Sequence, residues 1–321
     1  MPILDLGYRS WQGERTSQWG RWYVVAATGV SLVWRGVWLR RLLMLTFAPA
    51  LFAGGGFFIA EQGLQRPTTQ RAAAEFITEV MGAPELGGRL LQVPLQDPQG
   101  VRHDIWAHLL LWFFRYPQAV LMVVVVGVVA PRLISYDLRS RGYLLYFSRP
   151  LSPAEYVLGK SAVLWFLLAM ITMVPALLVY LVGVGLSPEL TVMAYTWDLP
   201  LRIIGATAVL AIPTTALALC YSSLTTESRY AGFAWFATWV LGWVTYAVLT
   251  STGFEGPSDP SALLARWRLV SPYHTLGLLQ SAAFGIETDS REFVMAVIIS
   301  AIVSLLGYGI TYRQITKALA E

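Results

Sequence analysis

Long apolar runs separated by short charged ones set the pattern of this chain. Near-continuous apolar windows cover residues 42–60, 117–131, 156–186, 199–221, 231–250 and 293–310. Most approach the roughly 20 residues that a helix needs to cross hydrocarbon. The predicted fold is an all-α integral membrane protein with six transmembrane helices forming one domain over 1–321. The second window is the shortest, and its strictly apolar core, 119–130, must recruit 112–116 or 133–134 to reach across. Arg115 beside it can snorkel to the interface. Pro175 and Pro213 fall inside spans, where neighbouring helices or water satisfy the freed carbonyls, and both predict kinks.

The segment before the first span carries a weaker pattern. Trp22, Val25, Ala26 and Gly29, then Val30, Val33, Trp34 and Val37, recur at helical spacing, and Arg35, Arg40 and Arg41 close the run. This predicts an amino-terminal interfacial helix within 1–41, with tryptophans at headgroup depth and arginines near phosphates. A seventh crossing over 22–38 is the alternative. Residues 1–9 hold no apolar core, so the first span is expected to act as the insertion signal in place of a cleaved peptide.

Two polar segments, 61–108 and 251–290, interrupt the apolar pattern. In the first, Pro67, Pro84, Pro94 and Pro98 divide the chain, and 69–81 reads as one helix with Ala72, Ala73, Phe76, Ile77 and Val80 on a common face. The second opens on a turn-rich run and then predicts a short amphipathic helix marked by Leu276, Leu279 and Gln280. Both are expected on the outer side, the first as a small cap over the bundle or a contact site for cargo or an outer partner, the second with its short helix partly inserted in the outer interface.

Composition supports the membrane reading: 56% of residues are hydrophobic and 13% charged, against roughly 25% charged in soluble domains. Charge also orients the bundle. With the amino terminus inside, segments 1–41, 132–160, 222–230 and 311–321 hold 14 of the 23 Lys and Arg but 6 of the 19 Asp and Glu. That bias follows the positive-inside rule and predicts both termini in the cytoplasm. The net charge of +4 arises from this inner-face bias, and no compact basic cluster interleaved with aromatics suggests a nucleic-acid partner. Cys220, the single cysteine, reads as a small buried hydrophobe.

Catalytic motifs are absent from the sequence. His103 and His108, five apart, fall on different helical faces with no third ligand nearby, so no metal is expected. There is no GxSxG elbow, HExxH helix or glycine-rich dinucleotide turn. Gly159-Lys160-Ser161 completes only the tail of a phosphate-binding loop and leads straight into a span. No enzyme, catalytic residue or cofactor is therefore assigned to this chain.

The most informative stretch is the charged island 132–160 between the second and third spans. Tyr136, Arg139, Tyr143 and Tyr146 or Phe147 recur at spacings of three and four and predict a short surface helix over 136–147. Arg149 and Pro150 end it. Ser152-Pro153-Ala154-Glu155 then supplies serine as N-cap, proline at N1 and glutamate at N3, a complete capping box for the third span. A surface helix, a tight turn and an abruptly started span form a unit stiff enough to transmit a push. A plain interfacial connector is the alternative.

Asp137, the run Arg141-Gly142-Tyr143-Leu144-Leu145-Tyr146-Phe147-Ser148-Arg149-Pro150-Leu151-Ser152, and Tyr156-Val157-Leu158-Gly159-Lys160 together resemble the coupling-helix region of permease subunits of type 2 ATP-binding-cassette transporters. The six spans, interfacial helix and inner termini extend a weaker resemblance over the whole chain. The resemblance implies a permease in a prokaryotic cytoplasmic membrane, paired with a second copy or homologue. Each half would sit over a cytoplasmic ATPase that holds the ATP and Mg²⁺. It further implies Asp137, Arg139 and Arg141 as polar contacts to that ATPase, and Tyr143, Leu144 and Phe147 as apolar anchors or bilayer-facing residues. Arg149 and Glu155 complete the coupling set. Unlike many simple permeases of this class, the chain has a first outer segment of 48 residues.

On cargo the sequence says less. Span centres carry almost no charge, which disfavours a proton or ion relay and favours an apolar or amphipathic cargo. Phe233, Phe236, Trp239 and Trp243 of the fifth span form a candidate cargo path, with core packing and interface anchoring as the competing account. A membrane scaffold that recruits partner proteins without transport is the alternative function.

Overall fold

The computed structural model describes residues 20–92, 99–147, 151–251 and 267–320. Among the described residues the regular elements are helical and no strand occurs. Helices α1 (Arg21–Arg35) and α2 (Val37–Leu45) lead into α3 (Ala48–Gln65), followed by α4 (Pro67–Glu79), α5 (Pro84–Gln92), α6 (Gln99–Arg115) and α7 (Pro117–Arg139). The five-residue α8 (Tyr143–Phe147) precedes α9 (Pro153–Leu168), a π-helical turn (Ala169–Met173) and α10 (Val174–Leu186). Then come α11 (Val192–Tyr195), α12 (Asp198–Ser223), α13 (Ser228–Ser251), α14 (Pro272–Ala283) and α15 (Ser290–Ala320).

Among the described residues six stretches are long and apolar enough to cross a membrane: Val37–Gln65, Gln99–Arg139, Pro153–Leu186, Asp198–Ser223, Ser228–Thr250 and Ser290–Ala320. The chain thus has the make-up of a multi-pass membrane protein. They match the six apolar windows in order, with the second extended on both sides. The seventh stretch that the sequence left open, α1, is a helix of 15 residues that ends at Gly36, shorter than a helix needs to span hydrocarbon. It packs on α9 by close approach: a β-carbon on Gly159 would lie 2.6 Å from Val25 Cβ and 2.8 Å from the Trp22 carbonyl.

Helix α12 is the hub, with α7, α9, α13, α14 and α15 arranged around it. Two cores follow. One joins α3, α4, α5, α6 and α10 around Phe57, Ile77, Leu90, Trp106 and Phe113. The other joins α2, α7, α9, α12 and α13 around Val126, Ile134, Tyr156, Leu164 and Trp235. The outer faces of α13 and α15 stay uncovered, with Phe233 75% and Leu305 74% exposed, as suits surfaces that meet lipid rather than water.

Prolines act differently from one another. The missing N–H of Pro175 is accommodated by the π turn, in which the N–H of Val174 reaches back to the carbonyl of Ala169. Helix α12 runs through Pro213 without interruption.

Three expectations change. The predicted helix over 136–147 is two elements, because α7 continues to Arg139 and a turn separates it from α8. The buried face of α4 is Ala73, Ala74 and Ile77, while Val80 is exposed. Helix α14 is not half-exposed: Thr275 through Gln280 are all buried against α12, α13 and α15. Within residues 61–108, Ile105 and Trp106 belong to the first core, and Glu61 and Arg102 are buried.

Candidate functional site

The island folds into a corner made of the end of α7, α8 and the start of α9. Backbone chemistry shapes it first. The N–H of Gly142 donates to the Asp137 carbonyl at 2.9 Å and that of Arg141 to Leu138 at 3.4 Å, the paired bonds of a Schellman helix end. Arg141 takes the left-handed position of this motif with φ of 52°, where glycine is usual. On the far side the capping box forms as read: Ser152 Oγ accepts from the Glu155 N–H at 3.2 Å, and Glu155 Oε2 accepts from the Ser152 N–H at 2.7 Å. One turn ends α7 and one cap starts α9.

Side chains then fasten α7 and α8 to α9. Lys160 Nζ lies 2.7 Å from Asp137 Oδ2, and the Tyr156 hydroxyl donates to the same oxygen at 2.6 Å. The ammonium also sits 5.3 Å from the ring centres of both Tyr146 and Tyr156, within cation–π range. Tyr146 and Phe147 pack on the Tyr156 ring at 5.5 and 5.7 Å. Burial, and then the Asp137 carboxylate, raise the Tyr146 phenol above its ordinary range, so it stays neutral beside the ion pair.

A third fastening comes from α12. The buried Ser222 hydroxyl accepts from the backbone N–H groups of Ile134 and Ser135, both at 3.1 Å, and donates to the Pro131 carbonyl at 3.0 Å. Ser135 Oγ bonds the same carbonyl. A side chain of α12 is thereby inserted into the backbone of α7 two turns before the corner.

The predicted coupling residues divide into two groups. Asp137 turns inward to Lys160, and Phe147 leans on Tyr156. Arg139, Arg141 and Leu144 are exposed, Tyr143 is half-buried, and Arg139 reaches Glu227 at 3.3 Å. Glu155 is occupied in its cap, and Arg149 lies outside the described residues. Sequence reasoning missed Leu145, the most exposed apolar residue of α8 at 78%, and the inward roles of Lys160 and Ser222. Lys160 was readable in principle as the lone cation at the start of an apolar span.

Three of the four cargo-path candidates, Phe236, Trp239 and Trp243, line one groove of about 1040 Å³ between α7, α13 and α14. Phe233 does not join them and faces outward. The groove lies at the end of the bundle remote from α8, since α7 begins and α13 finishes beside it. Arg115 does not snorkel away: its guanidinium stands 4.1 Å over the Tyr273 ring and donates to the Tyr273 carbonyl at 2.7 Å.

At that same end a second buried ion pair joins α3 to α6. Glu61 Oε1 accepts from Arg102 Nε at 3.0 Å and from Trp106 Nε1 at 2.9 Å, and Arg102 donates on to the Tyr195 hydroxyl at 2.7 Å. The two histidines of the first polar segment have partners of other kinds. His103 Nε2 is 3.0 Å from Asp198 Oδ1, and His108 Nδ1 is 2.8 Å from the Asp104 carbonyl.

Comparison with known proteins adds no relative: no family model and no curated protein sequence matches the chain.

Proposed function

We propose that this chain is the membrane-spanning subunit of an ATP-driven exporter in a prokaryotic cytoplasmic membrane, acting as a pair with a second copy or homologue. The observation that carries this reading is the corner at residues 137–160, which exposes Arg139, Arg141, Leu144 and Leu145 on a unit fastened to two spans. A contact surface meant to receive force has to be stiff, because a floppy loop would absorb a push locally. Here the Schellman turn, the capping box, the Asp137–Lys160 pair and the Tyr156 ring join the exposed surface to α7 and α9. The local resemblance of residues 141–160 to type 2 coupling regions supplies the partner class, a separate cytoplasmic ATPase that binds ATP and Mg²⁺. On this reading the α8 end and both termini are cytoplasmic, α1 lies along the inner leaflet, and an apolar or amphipathic cargo moves past α13.

The test is copurification of the full chain with its ATPase, with Arg139→Glu and Leu145→Asp as variants. Each is expected to weaken association about tenfold, consistent with loss of roughly 1.4 kcal/mol at a docking contact. Unchanged association together with unchanged cargo-stimulated ATP hydrolysis would remove these residues from the coupling role. Binding of an ATPase with neither cargo movement nor nucleotide-dependent change would instead favour a scaffold. Labelling a cysteine placed at Ser140, in a Cys220→Ser background, checks the orientation, and reactivity from outside would invert it.

A further inference from the structure

The groove between α7, α13 and α14 has a polar end and an apolar end. At the polar end lie Arg115, Arg268, Tyr273 and His274; running toward the middle of the bundle, Val120, Val124, Val240 and Phe236 form apolar walls. Among the described residues its lining includes no Asp or Glu. From Tyr116 to Val124 the floor is eight residues of helix, about 12 Å at the helical rise, comparable to a long stretch of acyl chain. Val120 and Val240 are each more than half exposed, so the apolar end opens sideways, toward the region that lipid occupies.

The charge at the polar end is built into the fold. Arg115 is held by the Tyr273 ring and carbonyl, and lies so close to the Gly277 backbone that a β-carbon there would overlap the guanidinium. Among the described residues it has no carboxylate partner within ion-pair distance. Among the described residues Arg268 has one ion-pair contact, long at 3.5 Å, to Glu292. Burial, and then the two arginines, lower His274 to about 4, so it is uncharged near neutral pH and the arginines carry the positive charge. A second observation points the same way: Trp239 lines the groove with 8% exposure, and its indole N–H has no acceptor among the described residues. A buried donor without an acceptor is costly. The groove therefore offers cations at one end and hydrocarbon walls running from it, with one unfilled donor, Trp239, among those walls.

We propose that this groove binds one acidic phospholipid, its phosphate met by Arg115 and Arg268, an ester oxygen available to Trp239, and an acyl chain laid along α7 and α13. Arginine suits a phosphate because its planar fork gives two parallel charge-assisted hydrogen bonds. The apolar walls select the lipid over a soluble anion. This inference depends on the membrane setting of the chain and not on an ATPase partner, so its failure leaves the exporter reading intact, and the reverse.

Native mass spectrometry of the full chain released from detergent, titrated with dioleoylphosphatidylglycerol, is the direct measurement. One saturable lipid per chain is expected, with affinity falling about tenfold or more in Arg115→Gln and in Arg268→Gln and unchanged in Arg71→Gln on the remote α4. On the unmodified chain, dioleoylglycerol, which keeps the acyl chains and lacks the phosphate, is expected to bind at least tenfold more weakly. Glycerol phosphate in solution at millimolar concentration should leave the bound lipid in place. Equal binding of dioleoylglycerol, or full retention of phosphatidylglycerol in both arginine variants, would overturn the proposal. Displacement by glycerol phosphate would overturn it too, by making the groove a site for a soluble anion.

Discussion

Two buried ion pairs sit at opposite ends of the bundle, and they are built for different mechanical lives. Glu61 and Arg102 have side chains 1% and 7% exposed, with Trp106, Gln65 and Tyr195 filling the remaining hydrogen-bonding directions. Asp137 and Lys160 are 13% and 7% exposed, and among the described residues their side chains also meet one phenol and two ring faces. The first pair is enclosed by donors in fixed positions, so it has one low-energy arrangement. The second is edged by aromatic surface, which attracts a cation over a broad area with little demand on direction. It can yield slightly without losing its charge compensation.

The comparison breaks most sharply at Glu61. Glu61→Leu would leave the Arg102 guanidinium buried beside an indole N–H without an acceptor, an expected loss of about 3–5 kcal/mol in unfolding free energy. The double variant Glu61→Leu, Arg102→Met should recover most of that loss in denaturant titrations in detergent. A double variant as unstable as the single would show that the pair does more than neutralise itself. At the other end, Lys160→Met should cost less, about 1–3 kcal/mol, because Asp137 keeps the Tyr156 hydroxyl and some access to water. The same variant is expected to loosen α8, read as faster proteolysis within 141–152 while cleavage at the Glu61 end stays unchanged. The smallest expected effect has the opposite sign. Arg141→Gly should stabilise the corner by about 1 kcal/mol, because a left-handed backbone costs an arginine more than a glycine. A lower Tm in that variant would mean that the Arg141 side chain contributes more than its backbone costs.

Much of this was legible in the sequence wherever the signal was local. Long apolar runs declare spans by themselves, and the capping box at Ser152 and Glu155 needs only three residues to be recognised. The stripe of Phe236, Trp239 and Trp243 was legible for the same reason, since helical spacing puts them on one face. Phe233 was grouped with them by aromatic character alone, although at 100° per residue it falls roughly 90° around the helix from the stripe. What stayed hidden depends on partners distant in sequence. Glu61 meets Arg102 forty-one positions on, and nothing in either neighbourhood marks the other. Asp137 looked like a surface acid because its cation lies beyond a turn whose geometry rests on a left-handed arginine, a residue type that carries no such signal. Helix α14 read as amphipathic from Leu276, Leu279 and Gln280, but Gln280 is buried, and so is Thr275, whose hydroxyl donates to the Leu269 carbonyl.

The Ser222 hydroxyl has a consequence for how displacement can travel. Helices that touch only through side chains can rotate or slide by a fraction of a turn while their contacts re-form. Helix α7 is held to α12 through its own peptide groups at Pro131, Ile134 and Ser135, and a slide of one residue, about 1.5 Å, would break all three bonds at once. The two helices therefore share a single register and tilt as one body. Since α12 touches nearly every other span, any tilt of α7 would have to be accommodated by the other spans through the helix at the centre.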